Sequence, residues 1–563
     1  MRALTNVLVN IFRLLRNTLV RALRRPPDFV SIPVTGALPE FEPPRLGFLR
    51  RRLAPGPYTP SLEILRARLD RLLTDGSPRG VILRVENLDA GWAALEELRA
   101  ELDRFRSKGN KVVAYLVASD TRSYYLASAA DEIFASPLST LNVVGLRARV
   151  NFLKDTLNSL GLEAEVLAVS PYKSAYDPLS RSNFSPEARE QVERLFDRRY
   201  EELIAAISTG RDIPPGKTRF LIDHAPYFAA EAVEKGLLDG AVYEDELAER
   251  LGDGVKPAKL AEWGAAKKAL RLPYRRRARK KSVGLVNITG TITRGRSRKL
   301  PVPLPLLGRE QSGSDSVVAS LRVAEKSRRI GSILLHVDSP GGEALASDLI
   351  WREVERIQPK KPVVVLMGNA AASGGYYVSA AATPIVARKS SITGSIGVIL
   401  ARPVASGLFD KLRVNPVSVE RGAHSNLLDP RKRPAPDELA VLQGQLYNFY
   451  EEFKNRVEQG RKIGPDALEE IAAGRVWTGA EALERGLVDE IGGFRLALER
   501  ARELAGIPDG SADVLVKVPP PKGARPTPGE PVRETIDAAR EALSELKAAR
   551  VWALAPYDIS DDW

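Results

Sequence analysis

The chain has 563 residues, too many for a single hydrophobic core, so we expect two or three domains. Its hydrophobic content of 44% suits a globular protein and is too low for a polytopic membrane protein. The absence of cysteine excludes disulfides, thiolate nucleophiles and cysteine-bound metals, and three histidines disfavour a histidine-rich metal site. The formal net charge is +13, with basic clusters near the N-terminus and at 275–281.

Residues 1–25 are predicted to form an amphipathic, membrane-associating helix. At about 100° per residue, one side of this helix is polar and cationic: Asn6, Asn10, Arg13, Arg16, Asn17, Arg21 and Arg24. The other side is apolar: Leu4, Val7, Leu8, Ile11, Phe12, Leu14, Leu15 and Leu19. The segment lacks the roughly 18 consecutive apolar residues of a spanning helix and the cleavage site of a signal peptide. The alternative is a helix docked on the protein's own core.

The basic clusters suit an anionic membrane surface or a nucleic acid. No helix-turn-helix, zinc-finger or RNA-recognition pattern lies beside them, so we favour the membrane and expect no nucleic-acid partner.

Two segments of the chain resemble each other at an offset of about 252 residues. Without a gap, 81–85 aligns with 333–337, Tyr124-Tyr125 with Tyr376-Tyr377, and Gly145 with Gly397. A repeat of this length indicates two copies of one domain. We therefore divide the chain into a Pro-rich extended segment (26–58), an N-terminal repeat (59–254), a basic linker (255–282), a C-terminal repeat (283–508), and a Pro-rich linker with a C-terminal helix (509–563).

The first copy alternates predicted strands and helices: strand 81–85, helix 92–107, strand 111–117, helix 121–130 and strand 132–135. This alternation predicts an α/β fold with parallel strands and crossover helices. In the second copy, residues 283–288 are predicted to form a strand and residues 294–314 a flexible loop. The final helix is predicted over about 532–554.

The second copy carries a serine and glycines that the first copy lacks. Its Gly341-Gly342, Ser373 and Ser395 stand opposite Asp89-Ala90, Thr121 and Val143 of the first copy. Ser373 follows an apolar strand and begins a helix of small residues, where the helix dipole would favour developing negative charge. Glycines at a strand end let backbone N–H groups face a substrate oxygen, although they more often only make tight turns.

A serine nucleophile needs a base. His336 lies inside a predicted strand, and His424 has no evident aspartate partner. A desolvated, neutral lysine is the other option, and Lys173 lies in a loop of small and aromatic residues. Its counterpart in the second copy is Ser425, so each copy holds one half of a serine–lysine pair. This complementarity suggests one site built across both copies, and the alternative is an ordinary loop lysine.

The motifs together resemble the bacterial signal peptide peptidase A (protease IV) family in its long, duplicated form. The resemblance covers about 60–508 and depends on five strings in order: 172–175 (YKSA), 338–342 (DSPGG), 371–376 (AASGGY), 393–397 (TGSIG) and 476–479 (VWTG). It implies tandem Clp/crotonase-like domains of repeated ββα units.

The resemblance also implies a serine endopeptidase with a Ser/Lys dyad. Ser373 would be the nucleophile and Lys173 the general base, with Ser395 orienting the lysine. The backbone amides of Gly342 and Gly374 would form the oxyanion hole. No metal or other cofactor is expected.

The substrates implied are cleaved signal peptides and other unfolded, apolar polypeptides, with Ala372 and Ile396 lining an apolar substrate pocket. The family forms a homotetramer in its duplicated form and lies at the bacterial inner membrane through a transmembrane helix. Here the arginine-studded N-terminal helix departs from that pattern, so both the periplasmic and the cytoplasmic face stay open. Two alternatives are a crotonase-fold acyl-CoA enzyme and a non-catalytic membrane scaffold.

Overall fold

The computed structural model describes residues 2–42, 59–274, 281–304, 308–508, 515–520 and 550–554. The chain divides into two compact units, Met1–Arg147 with Phe196–Ala278, and Ala148–Leu195 with Arg279–Trp563. The compact units differ from the sequence repeats at one segment. Residues 148–195 lie within the N-terminal repeat of the sequence but belong to the same compact unit as the C-terminal repeat. Lys173 and Ser373 therefore belong to the same unit.

The strands, in chain order, are β1 (Phe29–Gly36), β2 (Gly80–Leu88), β3 (Lys111–Leu116), β4 (Glu132–Ala135), β5 (Thr140–Leu141), β6 (Glu163–Ala168), β7 (Tyr227–Phe228), β8 (Gly240–Ala241), β9 (Leu260–Glu262), β10 (Ser282–Thr289), β11 (Thr291–Thr293), β12 (Arg298–Leu304), β13 (Gly308–Gly313), β14 (Ile330–Ser339), β15 (Gly341–Glu343), β16 (Val363–Ala372), β17 (Ile385–Ala387), β18 (Ile392–Gly394), β19 (Ile399–Val404), β20 (Val476–Thr478), β21 (Glu490–Ile491), β22 (Leu515–Lys517) and β23 (Arg550–Leu554).

The α-helices, in chain order, are α1 (Arg2–Leu23), α2 (Leu62–Asp75), α3 (Trp92–Arg106), α4 (Thr121–Ala127), α5 (Lys154–Ser159), α6 (Asp177–Ser180), α7 (Pro186–Arg211), α8 (Pro215–Asp223), α9 (Ala229–Glu234), α10 (Leu247–Arg250), α11 (Trp263–Ala269), α12 (Ser314–Lys326), α13 (Ala344–Ile357), α14 (Gly374–Ser379), α15 (Ser406–Lys411), α16 (Pro436–Arg461), α17 (Pro465–Ile471), α18 (Gly479–Glu484) and α19 (Phe494–Leu504).

The first unit is built on a parallel six-stranded sheet with the order β8-β4-β3-β2-β1-β9. The predicted alternation between residues 81 and 135 is confirmed, because β2, α3, β3, α4 and β4 follow one another there. The predicted basic linker is partly wrong. Residues 260–269 form β9 and α11, because Leu260 adds to the edge of β1 opposite Phe29 and Ala266 is buried in the core. Residues 275–280 lie outside the described part of the chain.

The second unit contains a largely parallel sheet with the order β20-β18-β16-β14-β10-β22, and β17 joins it beside β16. Strands β14 and β16 lie in its interior and are buried over most of their length. Their nearly unbroken apolar runs are typical of parallel strands covered on both faces. Strand β14 ends just before Gly341-Gly342, and β16 ends just before Ser373.

A second sheet of this unit has the order β12-β13-β11-β15-β23-β19-β6. It corrects two predictions. Residues 298–304 and 308–313, predicted as part of a flexible loop, form the antiparallel pair β12 and β13. Residues 550–554, predicted as the end of a helix, form β23 because strands on both sides pair with them. The remainder of the predicted helix, 532–549, lies outside the described residues, as do 43–58 of the Pro-rich segment.

The duplication is visible in matching hydrogen bonds within each unit. The Tyr124 hydroxyl donates to Leu237 O over 2.8 Å, and the Tyr376 hydroxyl donates to Leu487 O over 2.9 Å. An arginine–aspartate pair also recurs, formed by Arg211 with Asp239 and by Arg461 with Asp489. The same buried tyrosine therefore ties the same two segments together in each copy.

Helix α1 presents its polar side to the first unit. Arg16 donates to Leu270 O over 2.7 Å, and Asn17 exchanges two hydrogen bonds with the backbone of Leu272. The opposite, apolar side is exposed, with Phe12 at 67% and Leu15 at 65% of full exposure. Across the described residues, we find no helix with the length and apolarity needed to cross a membrane.

Candidate active site

Ser373 lies at the junction between β16 and α14 in a backbone conformation that side chains rarely adopt. Its φ is 54° and its ψ is −115°. Its N–H donates to Gly394 O over 2.7 Å, while its carbonyl accepts from Tyr377 N in the first turn of α14. Such conformations are costly and occur mainly at functional sites, where surrounding contacts hold them in place. This turn holds Ser373 fully buried.

The loop after β6 brings Lys173 to Ser373. β6 pairs antiparallel with β19, with Ala168 opposite Ile399 and Glu163 opposite Val404. This pairing carries the following loop toward the start of α14. There Lys173 Nζ lies 2.6 Å from Ser373 Oγ. The two side chains that sequence reasoning paired are therefore in contact.

Lys173 is fully buried. Its side chain is 1% exposed, and no described carboxylate forms an ion pair with it. Burial lowers the pKa of Lys173 well below its ordinary value of 10.5, because an ammonium is poorly solvated away from water. The neutral amine is thereby favoured.

Ser395 lies on the other side of the lysine amine. Lys173 Nζ donates to Ser395 Oγ over 2.8 Å and to Ser395 O over 2.9 Å. Ser395 also has a positive φ of 51°, and its N–H donates to Arg475 O over 2.6 Å. The three predicted polar side chains, Lys173, Ser373 and Ser395, thus form one contiguous buried group.

The predicted oxyanion glycines belong to two neighbouring elements. Gly374 is the first residue of α14, where helix amides lack a partner within the helix. Gly342 lies in β15, which packs against α14. A side chain at Gly342 is sterically excluded, since a Cβ there would lie 2.0 Å from Ile292 O. A Cβ at Gly375 would lie 2.7 Å from Ser339 O, so the turn before β15 and the start of α14 are in close contact.

The other sequence candidates lie as follows. Ala372 ends β16 and Ile396 follows Ser395, and both are fully buried. His336 lies within β14, and His424 is exposed in a loop. Neither histidine has a hydrogen bond to Ser373.

Sequence reasoning missed the segment 473–475, which holds the lysine loop in place. A Cβ at Gly474 would lie 2.7 Å from Lys173 Cβ, so only glycine lets the two backbones approach. The Ser170 hydroxyl donates to Ala473 O, and the guanidinium of Arg475 lies 3.8 Å from the ring centre of Tyr172. The signal was available. Near the end of each copy, 232–239 (AVEKGLLD) aligns with 482–489 (ALERGLVD) at an offset of 250 residues, which places His224 of the first copy opposite Gly474.

The equivalent position of the first copy is an ordinary helix start. Asp120 is the N-cap of α4, with a φ of −121°, and its side chain accepts from Ser123 N. Thr121 donates to Gly145 O over 2.9 Å. Thr121, which aligns with Ser373, is not among the described residues with a positive φ, so of these two aligned positions only Ser373 has the strained backbone.

A buried serine in contact with a desolvated lysine, on a Clp-like core, defines a class of serine peptidases. The sequence profile of peptidase family S49 matches this chain twice, at 104–257 and 355–508, and that of Clp protease matches 307–395. The chain belongs to peptidase family S49 and is a serine peptidase. The predicted family and the predicted tandem Clp/crotonase-like fold are both confirmed.

The chain is similar to several named proteins. It is 32% identical to "Serine protease SPPA, chloroplastic" from Arabidopsis thaliana over 83% of this chain and 69% of that protein. It is 31% identical to "Protease 4" from Haemophilus influenzae over 76% of this chain and 71% of that protein. Among solved structures, a ClpP1 mutant from Listeria monocytogenes matches 38% of this chain and 94% of its own, at 16% identity and a TM-score of 0.25.

Proposed function

We propose that this peptidase uses a Ser/Lys dyad to degrade cleaved signal peptides and other unfolded, apolar polypeptides at a membrane surface. The observation that carries the proposal is the 2.6 Å contact between Lys173 Nζ and Ser373 Oγ in a fully buried setting. An acyl-CoA enzyme or a scaffold would have no use for this contact.

The three hydrogen-bond contacts of Lys173 Nζ can all be made by a neutral amine, the form that burial favours. A neutral amine has two N–H groups and one lone pair, whereas an ammonium has three donors and no acceptor. Ser395 Oγ and Ser395 O take the two N–H groups. The lone pair is then left for the hydroxyl proton of Ser373. In this arrangement Ser395 orients the base, and Lys173 is ready to accept a proton.

The reaction follows from that arrangement. Lys173 accepts the hydroxyl proton as Ser373 Oγ attacks the peptide carbonyl, and the amides of Gly342 and Gly374 donate to the resulting oxyanion. The lysine then gives the proton to the departing amine, which leaves an acyl-enzyme. Water attacks the acyl group while Lys173 takes its proton, and returning that proton to Ser373 releases the carboxylic acid.

One relative supports the proposed substrates, since it is named "Putative signal peptide peptidase SppA". Ala372 and Ile396 would contribute an apolar pocket for an apolar substrate side chain. A homotetramer is proposed on the family resemblance alone. No nucleic-acid partner is proposed.

The function is tested by incubating the purified chain with a denatured protein, the same protein in its folded form, and an apolar signal-like peptide. We expect hydrolysis of the denatured protein and the peptide, with the folded protein left intact. Binding of coenzyme A without hydrolysis of either unfolded substrate would instead support the acyl-CoA alternative.

The membrane part of the proposal is supported by the orientation of α1. Its polar side is hydrogen-bonded to the first unit through Arg16 and Asn17, so the apolar side faces outward. Exposed apolar faces of this size usually mark an interaction surface. An amphipathic helix with basic residues at its edge suits the interface of an anionic bilayer.

We expect Phe12→Ser with Leu15→Ser to weaken binding to anionic lipid vesicles by at least about tenfold, because full burial of each side chain contributes about 1.5–3 kcal/mol. Co-sedimentation with vesicles measures the effect. Thr18→Ser with Ala22→Ser is the matched control, since it changes the same exposed face with little loss of apolar area. Equal sedimentation of both double variants would contradict membrane docking by this face.

A further inference from the structure

Strand β20 ends one side of the largely parallel sheet in the second unit and lies beside both serines of the site. It runs antiparallel to β18, with Val476 opposite Gly394. The carbonyl oxygen of Gly394 accepts the N–H of Ser373 over 2.7 Å. Directly before the strand, Arg475 O accepts the N–H of Ser395 over 2.6 Å. The position of β20 therefore affects the backbone of the nucleophile and of the serine that orients the base.

Two side chains of helix α7 bind the outer edge of β20. Gln191 Oε1 accepts the N–H of Val476 over 2.8 Å, and the guanidinium of Arg194 donates to Val476 O. The same guanidinium donates to Glu481 Oε1 over 2.5 Å and lies 4.6 Å from the ring centre of Trp477. Val476 is buried, and buried backbone groups need hydrogen-bond partners. The side chains of α7 therefore take the place of a further strand at this edge.

The two copies differ at all three residues of this contact. Helices α7 and α16 both have 26 residues and align at an offset of 250 residues. At this offset the contact residues align with residues that cannot form it: Gln191 with Val441, Arg194 with Gly444 and Val476 with Pro226. Valine and glycine have no polar side chain, and proline has no backbone N–H. The contact thus differs between the copies in the same way as the pair of Lys173 and Ser373.

We propose that Gln191 and Arg194 are positioning residues of the dyad, which hold β20 and thereby the two serines against Lys173. The chain runs from Lys173 through α6 into α7. Pairing of β6 with β19 anchors the lysine loop on one side, and the contact of α7 with β20 anchors it on the other. A displacement of about 1 Å at a reacting group can lower a rate by about 10²-fold. This role rests on the proposed function, since it assumes that the dyad is catalytic.

The first test removes each contact and keeps an unbranched side chain in the helix. We expect Gln191→Met and Arg194→Met each to lower kcat for an apolar signal-like peptide by about 10–10²-fold, with KM within about twofold of wild type. Arg189→Met is the matched control and should keep the kcat of wild type, because Arg189 is an exposed residue of the same helix that pairs with Glu193. Circular dichroism checks the fold. Wild-type kcat in Gln191→Met, or a change in KM alone, would overturn the inference.

A double-mutant cycle separates positioning of the dyad from general damage. The rate of Ser373 labelling by a fluorophosphonate is measured in Lys173→Met with and without Gln191→Met. We expect the second substitution to change this rate by no more than about twofold, because the residue acts on a dyad that is already lost. Losses that multiply as independent effects would overturn the inference.

Stability measures the same effect without catalysis. The pKa of Lys173 is lowered because the amine is buried, and a loosened lysine loop would let this pKa rise toward 10.5. Wild type gains stability as pH rises from 7 to 10, so Gln191→Met should lose stability relative to wild type over this range, whereas the difference for Arg189→Met should stay constant. A constant difference for Gln191→Met would overturn the inference. If wild type neither hydrolyses peptides nor is labelled at Ser373, the proposed function fails, and this measurement still decides the role of Gln191.

Discussion

Ser373→Ala is expected to lower kcat for an apolar signal-like peptide by about 10⁶-fold, because the reaction loses its nucleophile and the lysine has no proton to accept. The matched control is Ser379→Ala, which removes a buried hydroxyl from the same helix. Ser379 donates to Gly375 O over 2.7 Å and does not contact Lys173. Full activity in the control would assign the loss to Ser373 itself. Activity in Ser373→Ala within tenfold of wild type would contradict the assignment.

Lys173→Met is expected to lower kcat by about 10²–10⁴-fold, the usual contribution of a positioned general base. Methionine keeps an unbranched side chain in the buried space, so the variant should fold. Peptide hydrolysis measures the activity, and circular dichroism checks the fold. A folded variant with unchanged kcat would show that another group accepts the proton.

Lys173→Met is also expected to change how the free energy of unfolding depends on pH. The pKa of Lys173 is lowered in the folded state, so between that pKa and the unfolded value of about 10.4 the unfolded chain binds more protons. The free energy of unfolding of wild type therefore rises with pH across this window, by up to about 1.4 kcal/mol per pH unit. Lys173→Met lacks this contribution. Relative to wild type, its stability should fall as pH rises from 7 to 10, which denaturant titration at each pH measures.

The repeat and the pairing of lysine with serine could be predicted from sequence because aligned positions of the two copies can be compared. Thr121 stands opposite Ser373, and Ser425 stands opposite Lys173. Each copy therefore lacks the serine or the lysine that the other copy has, and this difference indicates both positions. Strands such as β2 and β3 were predictable as well, since a buried parallel strand is a short apolar run between turn residues. The helix that begins after Ser373 was also predictable, because small residues follow the apolar strand there.

Elements formed by distant pairing could not be predicted. Residues 532–554 are rich in alanine, glutamate, leucine and arginine, which favour a helix locally. β23 forms because β15 and β19 offer it two edges, a property of the folded sheet that no local pattern records. For the same reason the proline-rich stretch at 298–304 suggested a loop, although it pairs with β13. The approach of Gly474 to Lys173 joins segments about 300 residues apart.

The most direct test of the dyad is the pH dependence of fluorophosphonate labelling of Ser373, with the modified residue located by peptide mapping. In wild type we expect the labelling rate to rise with pH and then to reach a plateau. The midpoint of this rise should lie at a pH well below 10.5, because burial lowers the pKa of Lys173. In Lys173→Met we expect slow labelling without that midpoint. The same profile in both proteins, or labelling of a different serine, would contradict the dyad.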